Sequence, residues 1–326
     1  MTVLVEEVPS PLAPPAAPSL PVLPPARGPL SESVVDFVTG GGGELVDASS
    51  GVAGQPHDDD FHAALWMLNV LQVADFVGVE PDRVASLRMR TLHWYLEQTF
   101  ESQLRRLVAE RPVPDLLAHL QELIARPGST RGSSPQAVRR RFLAKAPYGG
   151  WEADPHTLAL ARIEDPIKPA LVDIQAGEYG MGHASTHAEI YRGCLEVMGT
   201  DITEAVAAAP ACSLAFANST WLFGRDRRMR GAAVGQLCLL ELDSVGPCVR
   251  EKGCWDAAEL PAAARRWYDI HALADVEHAE VISTQIVPTL EQRTPWLVAD
   301  AAWGAEVTWV LQDCVARACS DGAAHR

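Results

Sequence analysis

Apolar residues along most of the chain recur at the spacing of a helix face. From about Asp58 onward, Leu65, Leu68, Leu71 and Val73 lead into Phe76, and Leu92, Tyr95, Leu96, Phe100 and Leu104 form a second stripe. Recurrence every three or four residues gathers such positions on one side of an α-helix, whereas a half-buried strand alternates every second residue. No alternating run calls for a sheet. Gly78, Pro81, Pro112, Pro114 and Gly128 punctuate the stripes, and Gly132-Ser133-Ser134-Pro135 opens another helix. The pattern predicts an all-α fold, helix after helix to Cys319.

The beginning of the chain departs from this pattern. Ten of the 24 prolines fall in the first 56 residues, nine of them between Pro9 and Pro29, and Gly40-Gly41-Gly42-Gly43 follows. Such composition predicts an arm over residues 1–56, disordered or draped on the surface, ahead of a helical domain over residues 57–326. Within the arm only the strip Val34-Val35-Asp36-Phe37-Val38 has the character to dock on the domain.

Charge and composition narrow the function. With 326 residues, 48% of them hydrophobic, the chain can furnish a substantial core. A formal net charge of −15 works against RNA, DNA and anionic membranes, because neutralising phosphates requires clustered Lys and Arg. No apolar run approaches the roughly 20 residues of a membrane span, and the N-terminus lacks the pattern of a signal peptide, so a cytoplasmic location is expected. The seven cysteines, an odd number without any CxxC, read as free thiols in a reducing compartment rather than disulfides or a structural zinc site.

The strongest local chemistry lies in Arg266 to His278. Helical spacing of i, i+4 and i+7 puts His271, Asp275 and His278 on one face. Alone, such a face is equally that of a solvated helix, so further ligands must come from elsewhere. Glu178 precedes Tyr179-Gly180-Met181-Gly182-His183 near the end of a helix expected to start at Asp165-Pro166, and His187 opens the next helix. Glu241 stands deep in an almost uncharged helix, where a carboxylate is costly unless paired, with Arg228 or Arg230 for instance, or bound to metal. Glu152, just ahead of Asp154-Pro155, is locally the weakest candidate. Four carboxylates and three histidines form the mixed oxygen and nitrogen set of non-heme iron or manganese, and four negative charges balance two divalent ions.

At these residues the chain resembles the heme-oxygenase-like di-iron oxidases and oxygenases, the iron-containing redox enzymes. The likeness runs from about Arg140 to about Ile282. It rests on ordered blocks: Glu152-Ala153-Asp154-Pro155; Glu178 to Gly182 with His187-Ala188-Glu189; Asn218 and Phe223 to Ala232; Glu241; and His271, Asp275 and His278. The resemblance implies a heme-oxygenase-like helical bundle with two Fe(II) ions. One would be held by Glu152, Glu178, His187 and Asp275, the other by Glu178, Glu241, His271 and His278, with Glu178 as the bridge. His183 is a nearby substitute that fits the family position less well than His187.

The implied activity is O2-dependent oxidation of a small metabolite, with O2 as co-substrate and an external electron donor for further turnover. N-oxygenation of an amine or amino-acid-derived substrate in a natural-product pathway leads, and oxidative carbon–carbon cleavage or desaturation by the same core is the alternative. No metal-binding cupin domain follows the helical core, so the helical-domain reaction alone is expected. Expected partners are the small-molecule substrate and, as a homodimer, a second copy of the chain. Arg225, Arg227, Arg228 and Arg230 are candidates to meet a substrate carboxylate or to pair with buried acids, with a solvated surface position the ordinary role for most of them. Ferritin-like proteins draw on two Glu-x-x-His helices, a pattern missing here. Heme oxygenase proper would need a single axial histidine, and none stands out from the cluster. A noncatalytic helical partner that kept the fold and lost the chemistry is the reading from a different class, and the full set of seven candidate ligands weighs against it.

Overall fold

The computed structural model describes residues 20–46, 58–128, 134–163, 166–181 and 185–320, and among these every regular element is a helix. The expected caps form where the sequence supplies a short polar side chain. Asp58 accepts from the Phe61 N–H to start Asp59–Val70, Ser86 does the same for Leu87–Leu107, and Ser134 accepts from the Ala137 N–H to start Pro135–Leu143. Asp165 lies outside the described residues. The helix expected to begin there runs over Lys168–Glu178, with Pro169 in its first turn.

Three long helices form the frame. Arg230–Ala257 packs along both Arg266–Val281 and Val298–Ala318, while Ala211–Arg225 crosses Asp59–Val70, Asp154–Leu160 and Val298–Ala318. Arg230–Ala257 and Val298–Ala318 approach so closely that neither crossing point tolerates a side chain. A Cβ on Gly235 would stand 1.8 Å from the Ala301 carbonyl oxygen, and one on Gly304 would stand 2.3 Å from that of Ala232. Arg227–Ala257 is long and apolar enough to cross a membrane, but more than half of its apolar stretch is buried within the bundle, which accounts for its composition. None of the seven cysteines is in a disulfide.

The N-terminal segment differs from the expected arm. Residues 1–19 and 47–57 lie outside the described residues, but between them Pro29–Val38 is a helix whose Leu30, Val34, Phe37 and Val38 are buried against Asp59–Val70. The Asp60 carboxylate accepts from the Leu30 and Ser31 N–H groups, 2.8 Å each, and so caps this helix from the next one. Arg27 ties the segment down further through Asp59 at 2.7 Å and the Val206 carbonyl at 2.7 Å. The spacing of those four apolar residues is helical. Proline content around them obscured a true amphipathic stripe, which extends beyond the docking strip that composition suggested.

Candidate metal centre

The seven candidate ligands come from five separate stretches of chain and meet in the interior. Arg266–Val281 turns His271, Asp275 and His278 inward, all buried. Glu241 projects from Arg230–Ala257, and Glu178 is the last residue of Lys168–Glu178. His187 is the first residue of His187–Val197, fixed there by a capping box. Thr186 accepts from the Glu189 N–H, and the Glu189 carboxylate accepts from the Thr186 N–H. Glu152 sits in the turn ahead of Asp154–Leu160. His183 lies outside the described residues.

These side chains form two adjoining groups. Glu152, Glu178, His187 and His271 make one, and Glu178, Glu241, Asp275 and His278 the other; within each group the donor atoms lie within 4.8 Å of one another. This differs from the division implied by the resemblance by an exchange: His271 stands with Glu152 and His187, and Asp275 with Glu241 and His278. The cause is helical geometry. His271 is a turn nearer the helix start than Asp275, which places it beside His187, ring centroids 4.5 Å apart. Glu178 belongs to both groups, with Oε2 2.7 Å from His187 Nδ1 and Oε1 3.7 Å from His278 Nδ1.

Whether the residues fit metal ions is tested by what their donor atoms lack. Buried polar atoms are nearly always hydrogen-bonded. Here both Glu178 oxygens, His187 Nδ1, His271 Nε2 and Asp275 Oδ1 are buried without a hydrogen-bond partner. The Glu178 and His187 atoms are 2.7 Å apart yet misaligned for a hydrogen bond, so they point at common space rather than at each other. Oxygen and imidazole donors converging in this way suit divalent iron, zinc or manganese.

The remaining donor atoms are held by neighbours. Trp267 Nε1 donates to Glu152 Oε2 at 3.0 Å, leaving Oε1 toward the centre. Ser244 donates to Asp275 Oδ2, leaving Oδ1 free. His271 Nδ1 is 2.8 Å from the Trp267 carbonyl; a carbonyl only accepts, so Nδ1 carries the proton and Nε2 faces inward. A Cβ on Gly177 would stand 3.1 Å from His278 Nε2, so glycine makes room for that imidazole.

Protons compensate the carboxylates in the metal-free cluster. Burial pushes Glu241 up to about 8, reinforced by Glu178 and Asp275 and opposed by His278. Burial works against protonation of His271 and His278, but the surrounding carboxylates outweigh it and push both up to about 10.

A cavity of about 170 Å³ opens on the cluster, bounded by Phe216, Leu240, Pro247 and Val315 as well as by ligand side chains. None of the four arginines between Arg225 and Arg230 lines it. Arg228 pairs with Asp226 at 2.6 Å and Glu101 at 2.8 Å, Arg225 lies 3.3 Å from Glu97, and Arg230 donates to the Arg227 carbonyl. Glu241 is partnered by His278 at 2.8 Å rather than by an arginine. The cations that do face the cavity are Arg141 and Lys145, neither evident from the sequence. Trp267 and Ser244 were missed as well. Trp267 was open to detection, one helical turn before His271.

No curated protein matches the chain. The family model for iron-containing redox enzymes matches residues 140–313, a span that includes all seven clustered side chains and the cavity wall from Arg141 to Gln312. With that match over more than half of its length, the chain belongs to the iron-containing redox enzyme family.

Proposed function

We propose that this protein is a non-heme di-iron oxidase or oxygenase that uses O2 to oxidise a small metabolite in the cytoplasm, N-oxygenation of an amine or amino-acid-derived substrate being the leading reaction. One observation carries the reading: two buried ligand groups share Glu178, with five donor atoms left without partners. Two ferrous ions would be held by Glu152, Glu178, His187 and His271 and by Glu178, Glu241, Asp275 and His278. When bound, they supply the electrons and open coordination positions that O2 reduction requires.

The chain's own part is positioning and exclusion. Trp267 and Ser244 each restrain one oxygen of a carboxylate, so that the other keeps a fixed direction. The apolar wall of Phe216, Leu240 and Val315 keeps water from the reacting end of the substrate. Tyr148 stands in the same wall, its hydroxyl pushed well above the usual tyrosine range by burial and by Glu152 and Glu178, so it keeps its proton beside the site.

The test is anaerobic Fe(II) loading followed by O2, with and without candidate amines and amino acids. Two equivalents of iron should bind, and O2 consumption should rise with substrate. A product heavier by oxygen supports N-oxygenation, a shortened or unsaturated one the alternative chemistry, and failure to take up iron refutes the whole reading.

A further inference from the structure

The cavity that opens on the ligand cluster is lined by two cations, and their circumstances differ. Arg141 is spent on a neighbour: its guanidinium meets Glu251 with Nε at 2.9 Å from Oε1 and Nη2 at 2.9 Å from Oε2, both side chains buried. Lys145 has no such partner. Among the described residues it makes no ion pair, although the four ligand carboxylates line the same cavity. Its ammonium lies over the Trp267 ring, 5.1 Å from the centroid, and the same indole donates to Glu152.

A half-buried ammonium that faces a cavity without an ion-pair partner in contact is costly unless something supplies one. With two divalent ions in place the four ligand carboxylates are neutralised and Glu251 is matched by Arg141; Asp243, the remaining carboxylate of the lining, makes no ion pair with Lys145, whose ammonium is left without a counter-charge in contact. The same cavity carries apolar surface from Ala144, Phe216, Leu240 and Ala316. A ligand matching these surfaces has an apolar body and one anionic end.

We infer that Lys145 is the specificity-determining anchor for a carboxylate on the substrate, so that the protein acts on a small organic acid with its anionic end on the Lys145 ammonium. This rests on the proposed di-iron reading and sharpens it, since an amine substrate would then be an amino acid rather than a simple amine. The indole of Trp267 touches both the ammonium and Glu152, so the anchored end and the ligand cluster are separated by one ring.

The test compares hexanoate with hexanamide, bound to the full-length iron-loaded protein without O2 and measured by titration calorimetry. The two probes share an apolar body and differ in charge. The wild type should favour the carboxylate by roughly ten- to hundredfold, the range of a charge-assisted hydrogen bond. Lys145→Met keeps the aliphatic stem on the indole and should erase the preference; Lys145→Arg should retain it. A wild type without the preference, including one that binds neither probe, overturns the assignment. So does a preference that survives Lys145→Met, as direct carboxylate binding to iron would produce. Iron stoichiometry measured on the same samples separates the two ideas. Iron uptake without the preference overturns the Lys145 anchor alone, whereas the preference without iron uptake supports the anchor and refutes the di-iron reading.

Discussion

Replacing Trp267 by Phe deletes a single N–H and leaves most of the ring in place. That N–H donates to Glu152 Oε2 at 3.0 Å in a buried site, so no solvent replaces it. The phenyl ring still packs against His271, whose ring centroid lies 4.0 Å from that of the indole. Leaving one carboxylate oxygen without its donor should cost the metal-free protein about 1–3 kcal/mol. The effect on iron affinity should be of similar size. Loss of a partner that orients a ligand weakens metal binding by about ten- to hundredfold, or roughly 1.4–2.8 kcal/mol. Because Glu152 belongs to the His187 and His271 group, one of two iron equivalents should weaken and the other should hold. Ser244→Ala should produce the mirror image, since Ser244 restrains Asp275 in the other group. Anaerobic Fe(II) titration of both variants reads the two affinities, and thermal melting without metal reads the cost to the fold. If Trp267→Phe leaves both equivalents at wild-type affinity, the indole does not position a ligand and the reasoning is refuted.

Glu178→Ala should abolish both equivalents rather than one, because each oxygen of Glu178 faces a different group; iron analysis after anaerobic loading checks this. Gly177→Ala should weaken the equivalent that involves His278, since the added methyl stands 3.1 Å from its Nε2, while the metal-free melting temperature changes little. Deleting residues 1–46 should lower thermal stability markedly, as Val34 and Val38 are fully buried and each such side chain contributes at most roughly 1.5–3 kcal/mol; an unchanged melt would show that this helix does not dock in solution. Asp300 offers a pH test. Burial pushes it up to about 6, against the pull of the Ala232 N–H it accepts from, so the folded state holds this proton more tightly than the unfolded chain. Its contribution therefore improves as pH falls through that value and is lost as pH rises, by about 3 kcal/mol in all. Wild type should gain on Asp300→Asn by that amount between about pH 7 and about pH 4 in denaturant titrations; parallel curves would contradict it.

Much of this centre was legible from spacing and context. His271, Asp275 and His278 share a face because 3.6 residues make a turn, and Glu241 stood out because a carboxylate in an apolar helix needs a reason. The division into two groups was not legible. His271 and Asp275 are four residues apart, about 6 Å along the helix axis, and which neighbour each meets is decided by where Lys168–Glu178 and His187–Val197 come to rest. Trp267, Ser244 and Lys145 escaped for a related reason: an indole, a hydroxyl and a lone lysine acquire roles only from what stands opposite them. The N-terminal helix was hidden by composition, because a window rich in proline masked four apolar residues at helical spacing.

Glu178 ends its helix, and that position carries an electrostatic consequence of its own. The aligned peptide dipoles of Lys168–Glu178 leave about half a negative charge at the C-terminal turn, where the last carbonyls lack intrahelical partners. A carboxylate placed there adds negative charge to a negative pole, the arrangement that surface helices avoid. The same placement favours a cation by roughly 0.3–1 kcal/mol per unit charge before any ligand bond is counted. The backbone of this helix would thus act as a diffuse extra ligand for the proposed ions at the point where the two groups meet, contributing an attraction that no side-chain substitution in the cluster removes.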